Sequence, residues 1–109
     1  MTTQPSTVAF IVDQMAGAGT VTAKAMFGEF GVYCDGKIVA LICRDQLFVK
    51  PTMGGRAFIG EPDEQPPYRG AKPSFLIPAE GLEDADWLAQ LIRISAAELP
   101  VPKVRKAKR

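Results

Sequence analysis

The dipeptide Asp35-Gly36 constrains the fold of this chain more than any other feature, because it separates two runs of apolar residues. A two-residue type I′ turn requires positive φ at both central positions, which Asp tolerates and Gly prefers. The dipeptide therefore predicts a β-hairpin, and a regular hairpin on such a turn fixes the pairing of its strands. The predicted opposite pairs are Cys34 with Lys37, Tyr33 with Ile38, Val32 with Val39 and Phe30 with Leu41.

Both faces of the predicted hairpin are apolar. One face carries Phe30, Val32, Val39 and Leu41, and the other carries Tyr33, Ile38, Ala40 and Ile42. A second tight turn at Arg44-Asp45 returns the chain into a strand over Gln46–Lys50. The resulting three-stranded meander, from Phe30 to Lys50, needs a covering layer on both faces.

Helical periodicity marks both ends of the chain. The first pattern predicts a helix over Ser6–Ala16, capped by Ser6 and ended by Gly17 and Gly19. Its apolar face is formed by Val8, Ile11, Val12 and Met15. The second pattern predicts a helix over Asp84–Leu99, stopped by Pro100. Its apolar face is formed by Leu88, Leu91, Ile92, Ser95 and Leu99.

Weaker patterns fill the segments between these elements. Alternating residues predict a strand over Thr20–Phe27, and Pro51–Phe58 is typical of a short helix with proline in its first turn. The segment Gly60–Lys72 is rich in Pro, Gly and charge, so we expect a long surface loop. A last strand is predicted over Pro73–Ile77.

The predicted fold class is α+β, with an antiparallel sheet (the meander plus one later strand) packed with N-terminal and C-terminal helices in two layers. The 109 residues suit one domain over 1–102. Residues 103–109 hold five of the 13 basic residues, and we expect this tail to be disordered. No apolar run is long enough for a membrane span, and no basic segment precedes Val8 as in a secretory signal, so we expect a cytoplasmic protein without membrane contact.

Most catalytic chemistries find no support in the composition. The chain has no histidine, which excludes Ser-His-Asp and Cys-His catalysis and histidine-containing zinc sites. The acidic cluster Glu83, Asp84 and Asp86 is explained by the start of the last helix. Cys34 and Cys43 lie too far apart in the predicted hairpin for a disulfide and are too few for a metal site, so we expect buried free thiols. We therefore expect no catalytic residue, no metal and no cofactor.

Two basic regions are candidate binding sites. Lys50 and Arg56 flank a Thr-Met-Gly-Gly turn whose amides could face an anion or a ligand, and Arg69 and Lys72 lie in the predicted loop. The alternative interpretation is an ordinary strand-to-helix turn and a solvated loop. The tail residues Lys103, Arg105, Lys106, Lys108 and Arg109 could bind nucleic-acid phosphates without sequence specificity, and the alternative there is a solubilising tail.

The stretch from Ala25 to Ile42 resembles the TfoX N-terminal-domain family of bacterial proteins. It combines a Met26-Phe27-Gly28 entry, the strand Phe30-Gly31-Val32-Tyr33, the Asp35-Gly36 turn and an apolar return strand. Similar features recur at Pro67-Tyr68, Lys72-Pro73 and Trp87, so the resemblance extends to about Leu99. It implies a secretion-chaperone-like α+β domain that dimerises and has no established catalytic residues.

Three functions remain open at this point. The first is a non-enzymatic regulatory or protein-interaction domain, related to competence and transcription regulators and acting as a homodimer with an unknown protein partner. Full-length competence regulators of the family carry a second, carboxy-terminal domain, in whose place we expect only the short basic tail here. The second function is an accessory nucleic-acid-binding protein that uses the basic tail, and the third is a small-molecule-binding domain with its site between Lys50–Arg56 and Gly60–Lys72.

Overall fold

The sheet is antiparallel and open, and helices cover one of its faces. A computed structural model describes residues 3–26 and 29–100. The strands are β1 (Val21–Met26), β2 (Glu29–Cys34), β3 (Lys37–Cys43), β4 (Gln46–Val49), β5 (Asp63–Gln65) and β6 (Ser74–Leu76). The helices are α1 (Pro5–Gln14), α2 (Met53–Ile59), α3 (Ala79–Leu82) and α4 (Ala85–Glu98), and a 3₁₀ turn spans Ala16–Ala18. The predicted α+β class, meander and terminal helices are confirmed.

The strand order is β1-β2-β3-β4-β6-β5, so only β6 and β5 depart from chain order. The chain leaves β4 through α2, forms β5 at the far edge and returns through β6 into the space between β4 and β5. β5 lies within Gly60–Lys72, which we predicted as loop throughout. With three exposed residues, this strand carries none of the apolar alternation from which a strand is predicted.

The hairpin register is wrong beyond Tyr33. Cys34 pairs with Lys37 and Tyr33 with Ile38 as predicted, but Val32 pairs with Ala40 and Phe30 with Ile42. Val39 is the extra residue of a β-bulge, in which two residues of one strand oppose one of the other. Its carbonyl accepts a hydrogen bond from the Lys50 backbone amide at 2.8 Å, so the neighbouring connection stabilises the bulge.

The bulge changes which residues share a face of the sheet. Ala40 and Ile42 join Phe30 and Val32, whereas Leu41 moves to the face of Tyr33 and Ile38. The first of these faces packs against α1 and α4, and we call it the covered face. Its central members, Val32, Ala40, Ile42, Leu47, Val49 and Phe75, are buried in one cluster with Ile11, Met15, Leu88, Leu91 and Ile92.

The two long helices begin with different caps. Asp84, predicted as the first residue of the last helix, lies just before α4 and caps it, since its carboxylate accepts from the Trp87 amide at 3.1 Å. Ser6, predicted to cap the first helix, lies inside α1 instead, because Pro5 occupies the first helical position. Just before Pro5, the Gln4 backbone amide donates to the Asp45 carboxylate at 2.8 Å, which connects the start of α1 to the β3–β4 turn.

Candidate functional site

The face of the sheet opposite the helices carries an apolar groove with a cavity volume of about 610 Å³. We call this the open face. The groove is lined by Met26, Glu29, Ile38, Leu41, Cys43, Lys50 and Tyr68, together with Phe30, which the strand register places on the covered face. Apolar lining with a few polar groups at its ends is typical of binding clefts rather than of hydrated surface.

Gly31 lies on the open face between residues that line the groove. It lies opposite Leu41 on β3, in a row that continues to Phe48 on β4. A side chain at Gly31 would lie 3.0 Å from the Met26 sulfur and 3.4 Å from Ile38 Cδ1. The missing side chain therefore allows Met26 and Ile38, which both line the groove, to pack closely over the backbone of β2.

A turn in the β5–β6 connection brings Tyr68 to the groove. The Ala71 amide donates to the Tyr68 carbonyl at 3.0 Å, and Gly70 has a φ of 87°, which glycine adopts without strain. Pro67, just before the ring, is buried. Tyr68 nevertheless stays 55% exposed, so its ring forms a wall of the groove and keeps a free outer surface.

Opposite charges occupy the two ends of the groove. At one end, the Lys50 backbone amide donates to the Val39 carbonyl. At the other end, the Glu29 carboxylate accepts a hydrogen bond from the Thr3 hydroxyl. The same hydroxyl lies 3.4 Å from the Ile42 carbonyl oxygen. Val39 and Ile42, which mark these two ends on β3, are three residue steps apart, which corresponds to about 10 Å. Among residues 3–26 and 29–100, Arg56 and Glu64 form the one ion pair. Within these residues, no carboxylate therefore lies within 4.0 Å of the Lys50 ammonium.

The two cysteines lie on opposite faces of the sheet and are both free and buried, as predicted. Cys34 belongs to the covered cluster, while Cys43 lines the groove. Burial raises the pKa of the Cys43 thiol, and the nearby Glu29 carboxylate raises it further. Burial likewise raises the pKa of Cys34, with Asp35 adding to it. Both thiols are therefore protonated and weakly nucleophilic near neutral pH.

The four residues predicted for an anion or ligand site do not converge. Lys50 lines the groove together with Tyr68 of the loop. Arg56 points elsewhere: its guanidinium pairs with Glu64 at 2.6 Å and lies 5.3 Å from the centre of the Phe75 ring. Arg69 and Lys72 are exposed side chains of the β5–β6 connection. The structure thus brings one of the four to a cavity shared by both segments.

The Thr-Met-Gly-Gly turn does hold an anion, but the anion is part of the protein. The Glu98 carboxylate accepts from the amides of Met53 at 3.1 Å and Gly54 at 2.7 Å, at the start of α2. Thr52 caps the same helix by accepting from the Gly55 amide at 2.9 Å. A side chain at Gly54 would collide with Glu98 and Ile94, so the glycine allows α2 to approach α4 closely.

A second cleft of about 600 Å³ lies beside Trp87, between β6 and α3. Three acidic residues line it, Asp45, Glu61 and Asp63, and no basic one does. Across the residues that the structure describes, no three Cys, Asp or Glu side chains group as metal ligands, and no helix is long and apolar enough to cross a membrane. The five basic tail residues predicted to contact nucleic acid lie outside the described residues.

Sequence reasoning missed most of the groove. Met26 and Tyr68 were noted as features of the family resemblance, but neither they nor Glu29 were assigned to a binding site. One signal was present, because a glycine inside a strand often marks a place where something else approaches the backbone, and Gly31 is such a residue. The turn residues alone could not show that the loop folds back over β3.

Comparison with known proteins agrees with the architecture. Residues 13–99 match the model of the TfoX N-terminal domain. The chain is also 41% identical over 108 residues to an uncharacterized 12.7 kDa protein from the trpE 5′ region of Spirochaeta aurantia, covering 99% of this chain and 93% of that protein. The match includes the hairpin, the groove and all of α4, and the chain belongs to the TfoX N-terminal domain family.

Proposed function

We propose that this protein is a non-enzymatic interaction domain of the bacterial cytoplasm that acts as a homodimer and binds an apolar, acidic segment of a regulatory partner protein in its open-face groove. The observation that carries the proposal is the groove itself. Ile38 and Leu41 stay half-buried there, although the same strand buries Val39, Ala40 and Ile42 completely. Half-exposed apolar side chains that line a preformed cleft favour binding of a partner.

Charge complementarity specifies the chemistry of the partner segment. Glu29 already accepts a hydrogen bond from Thr3, whereas Lys50 has no carboxylate partner in the described residues. A carboxylate of the bound segment would form an ion pair with the Lys50 ammonium, and apolar side chains next to that carboxylate would cover Ile38 and Leu41. The thiol of Cys43, protonated at neutral pH, contributes apolar surface rather than reactivity.

Selection of peptides from a random display library tests this proposal. We expect enriched peptides that combine apolar residues with Asp or Glu, and we expect L41E to abolish enrichment. K50E should shift the selected peptides towards basic ones. K72E, in the exposed loop, is the matched control and should leave the selection unchanged. Enrichment that survives L41E, or that ignores the charge at position 50, would refute the groove as the site.

A small-molecule ligand is the second candidate, and the volume of the groove favours it. A cavity of about 610 Å³ lies within the ~300–1,000 Å³ range of ligand pockets. The ligand would be an apolar carboxylate, because the same Lys50 ammonium would hold it. Titration with aromatic and aliphatic carboxylates, followed by NMR shifts of Ile38 and Leu41, would distinguish it: binding tighter than that of any selected peptide would favour the small molecule.

Nucleic-acid binding through the tail remains a separate prediction. Truncation of residues 103–109 should abolish salt-dependent binding to DNA or RNA if the five basic residues carry it. Binding that is unchanged after truncation would exclude the tail as the contact.

A further inference from the structure

One edge of the sheet offers hydrogen-bonding groups that no described residue satisfies. β1 forms this edge and pairs on its inner side with β2 from Val21 to Met26. The Asp35 amide donates to the Thr20 carbonyl at 2.8 Å, so Thr20 directs its backbone groups towards β2. Backbone direction alternates along a strand. The backbone N–H and C=O groups of every second residue therefore also point towards β2, namely those of Thr22, Lys24 and Met26. The backbone groups of the alternate residues point outwards, namely those of Val21, Ala23 and Ala25.

The opposite edge is protected against pairing, and β1 is not. β5 has three residues, two of them acidic, and Pro62 and Pro66 flank it. Short length, charge and proline are the usual means by which proteins block an edge strand. β1 has six residues with a single charge, Lys24, and it contains no proline and no bulge. An edge of this kind is complementary to another extended strand.

We propose that β1 pairs antiparallel with β1 of a second copy, around a two-fold axis at Ala23. This inference rests on the homodimer of the proposed function and names its interface. In this register Ala23 faces Ala23 of the second copy, and Val21 faces Ala25 in both directions. All three outward-directed residues of each copy are then used, and the two sheets become one.

Side-chain chemistry favours a second copy over an unrelated strand. With the axis at Ala23, each Lys24 lies opposite Thr22 of the other copy, so the two ammonium groups do not face each other. On the covered face, Val21 and Ala23 already pack at the margin of the core, while Ala25 is exposed. Pairing covers Ala25 with Val21 of the other copy and joins the two apolar clusters across the interface.

The symmetry has a consequence for binding. A two-fold axis perpendicular to the sheet keeps the covered faces of both copies on one side and the open faces on the other. The dimer therefore presents two grooves on one surface, each bordered by Met26 at the end of β1. A partner with two apolar, acidic segments would bind both grooves, with a gain in avidity that one groove does not provide.

Charge variants at the exposed Thr22 test the register by sedimentation velocity across a range of protein concentrations. T22K places a lysine opposite Lys24 twice per dimer, and we expect the dimer dissociation constant to rise about 2-fold to 30-fold. T22E should lower it by a similar factor, with an effect that weakens in salt. T22K/K24E should reverse the loss and lower the dissociation constant below the wild-type value, as T22E does, because positions 22 and 24 then carry opposite charges.

Proline and cysteine variants test the same contact independently. A23P removes an outward amide without removing a β1–β2 hydrogen bond, so it should give a folded monomer with the circular dichroism of the wild type. A23C should form an intermolecular disulfide on oxidation, since residues opposite each other in a hydrogen-bonded pair lie about 5.5 Å apart. T22C is the control and should not cross-link to itself, because diagonal residues lie about 7–8 Å apart.

The outcomes separate this inference from the proposed function. A dimer that is insensitive to T22K and A23P would overturn the β1 interface and leave the homodimer standing. A chain that stays monomeric at all concentrations would overturn both the homodimer and its interface. The peptide selection would still test the groove, because it does not depend on the oligomeric state. A monomer whose β1 edge binds a foreign extended peptide would also overturn the proposal, because the occupant would then be another protein.

Discussion

The covered face and the open face of the sheet come from the same apolar strands but are buried to different extents. On the covered face Val32, Ala40 and Ile42 are fully buried beneath α1 and α4. On the open face Ile38 and Leu41 are half-buried along the groove. The apolar content of a strand therefore shows that a face needs cover, but the placement of the helices decides which face receives it within the chain.

The largest expected difference between the faces is seen by comparing neighbours in β3. I42A should lower the free energy of unfolding by about 2–5 kcal/mol, since it leaves a cavity in the core. L41A should cost about 1 kcal/mol, because its side chain is only half-buried. Urea unfolding of both variants provides the measurement. Equal losses would show that the open face is a second core, and the groove would then not be a binding site.

A smaller effect is expected where α2 approaches α4. G54A should destabilise the protein by about 1–3 kcal/mol, because the added methyl group meets Glu98 and Ile94 and displaces the carboxylate from the start of α2. G17A is the matched control: its methyl group would meet Ala89 at an ordinary 3.4 Å. Thermal unfolding of the two variants measures the difference. A tolerated G54A would show that α2 shifts freely over the helix layer.

The two thiols, one on each face, predict a pH dependence of stability. Burial raises the pKa of Cys34 and Cys43, so unfolded thiols, which ionise near pH 8.5, lose their protons before folded ones do. The unfolded state then binds fewer protons, and stability falls as pH rises above that value, by up to about 1.4 kcal/mol per thiol for each pH unit. Urea unfolding from pH 7 to 10 should show this decline, and C34A/C43A should reduce it. C43A alone should remove the part of this decline that comes from the thiol on the open face. An unchanged slope in the double variant would place the pH dependence on other groups.

The smallest expected effect lies at the edge of the sheet, outside both faces. Arg56 and Glu64 are paired but substantially exposed, with side-chain exposures of 52% and 33%. Water and salt screen such pairs, so we expect E64Q to leave the urea midpoint within the error of the curve. R56A should have a larger effect than E64Q, since it also removes the guanidinium from the Phe75 ring. A large loss with E64Q would mean that β5 depends on the ion pair for its place in the sheet.

The local features of the fold were predictable because local chemistry determines them. Asp35-Gly36 forms its turn with φ values of 52° and 86°, and α4 begins beside the acidic residues that predicted its start. The bulge at Val39 could not be predicted from the turn, because the hydrogen bond that stabilises it comes from the Lys50 amide, which lies after β4. β5 was also missed, since Asp63, Glu64 and Gln65 gain their strand conformation from pairing with β6 rather than from their own preference.

The site was harder to predict than the fold. Lys50 was identified by its charge, but the prediction grouped it with Arg56, which the ion pair with Glu64 directs elsewhere. The glycine turn before Arg56 suggested an external anion, and no local pattern indicated that Glu98, more than forty residues away, supplies one. Sequence patterns show which groups are suited to bind charge, whereas tertiary contacts show which of them are already occupied.

The bulge at Val39 also bears on how this sequence is free to change. Side chains alternate between faces with a period of two, so the extra residue reverses the assignment of every later position in β3. If the same residues paired regularly from the Asp35-Gly36 turn, without the bulge, Leu41 would move into the core and Ile42 onto the open face. Both residues are large and aliphatic, so a count of apolar positions would not detect the change, yet the groove would lose its floor. A relative whose segment has the same length should therefore keep the bulge if it keeps this binding surface, whereas a relative that is one residue shorter could present the same faces through regular pairing.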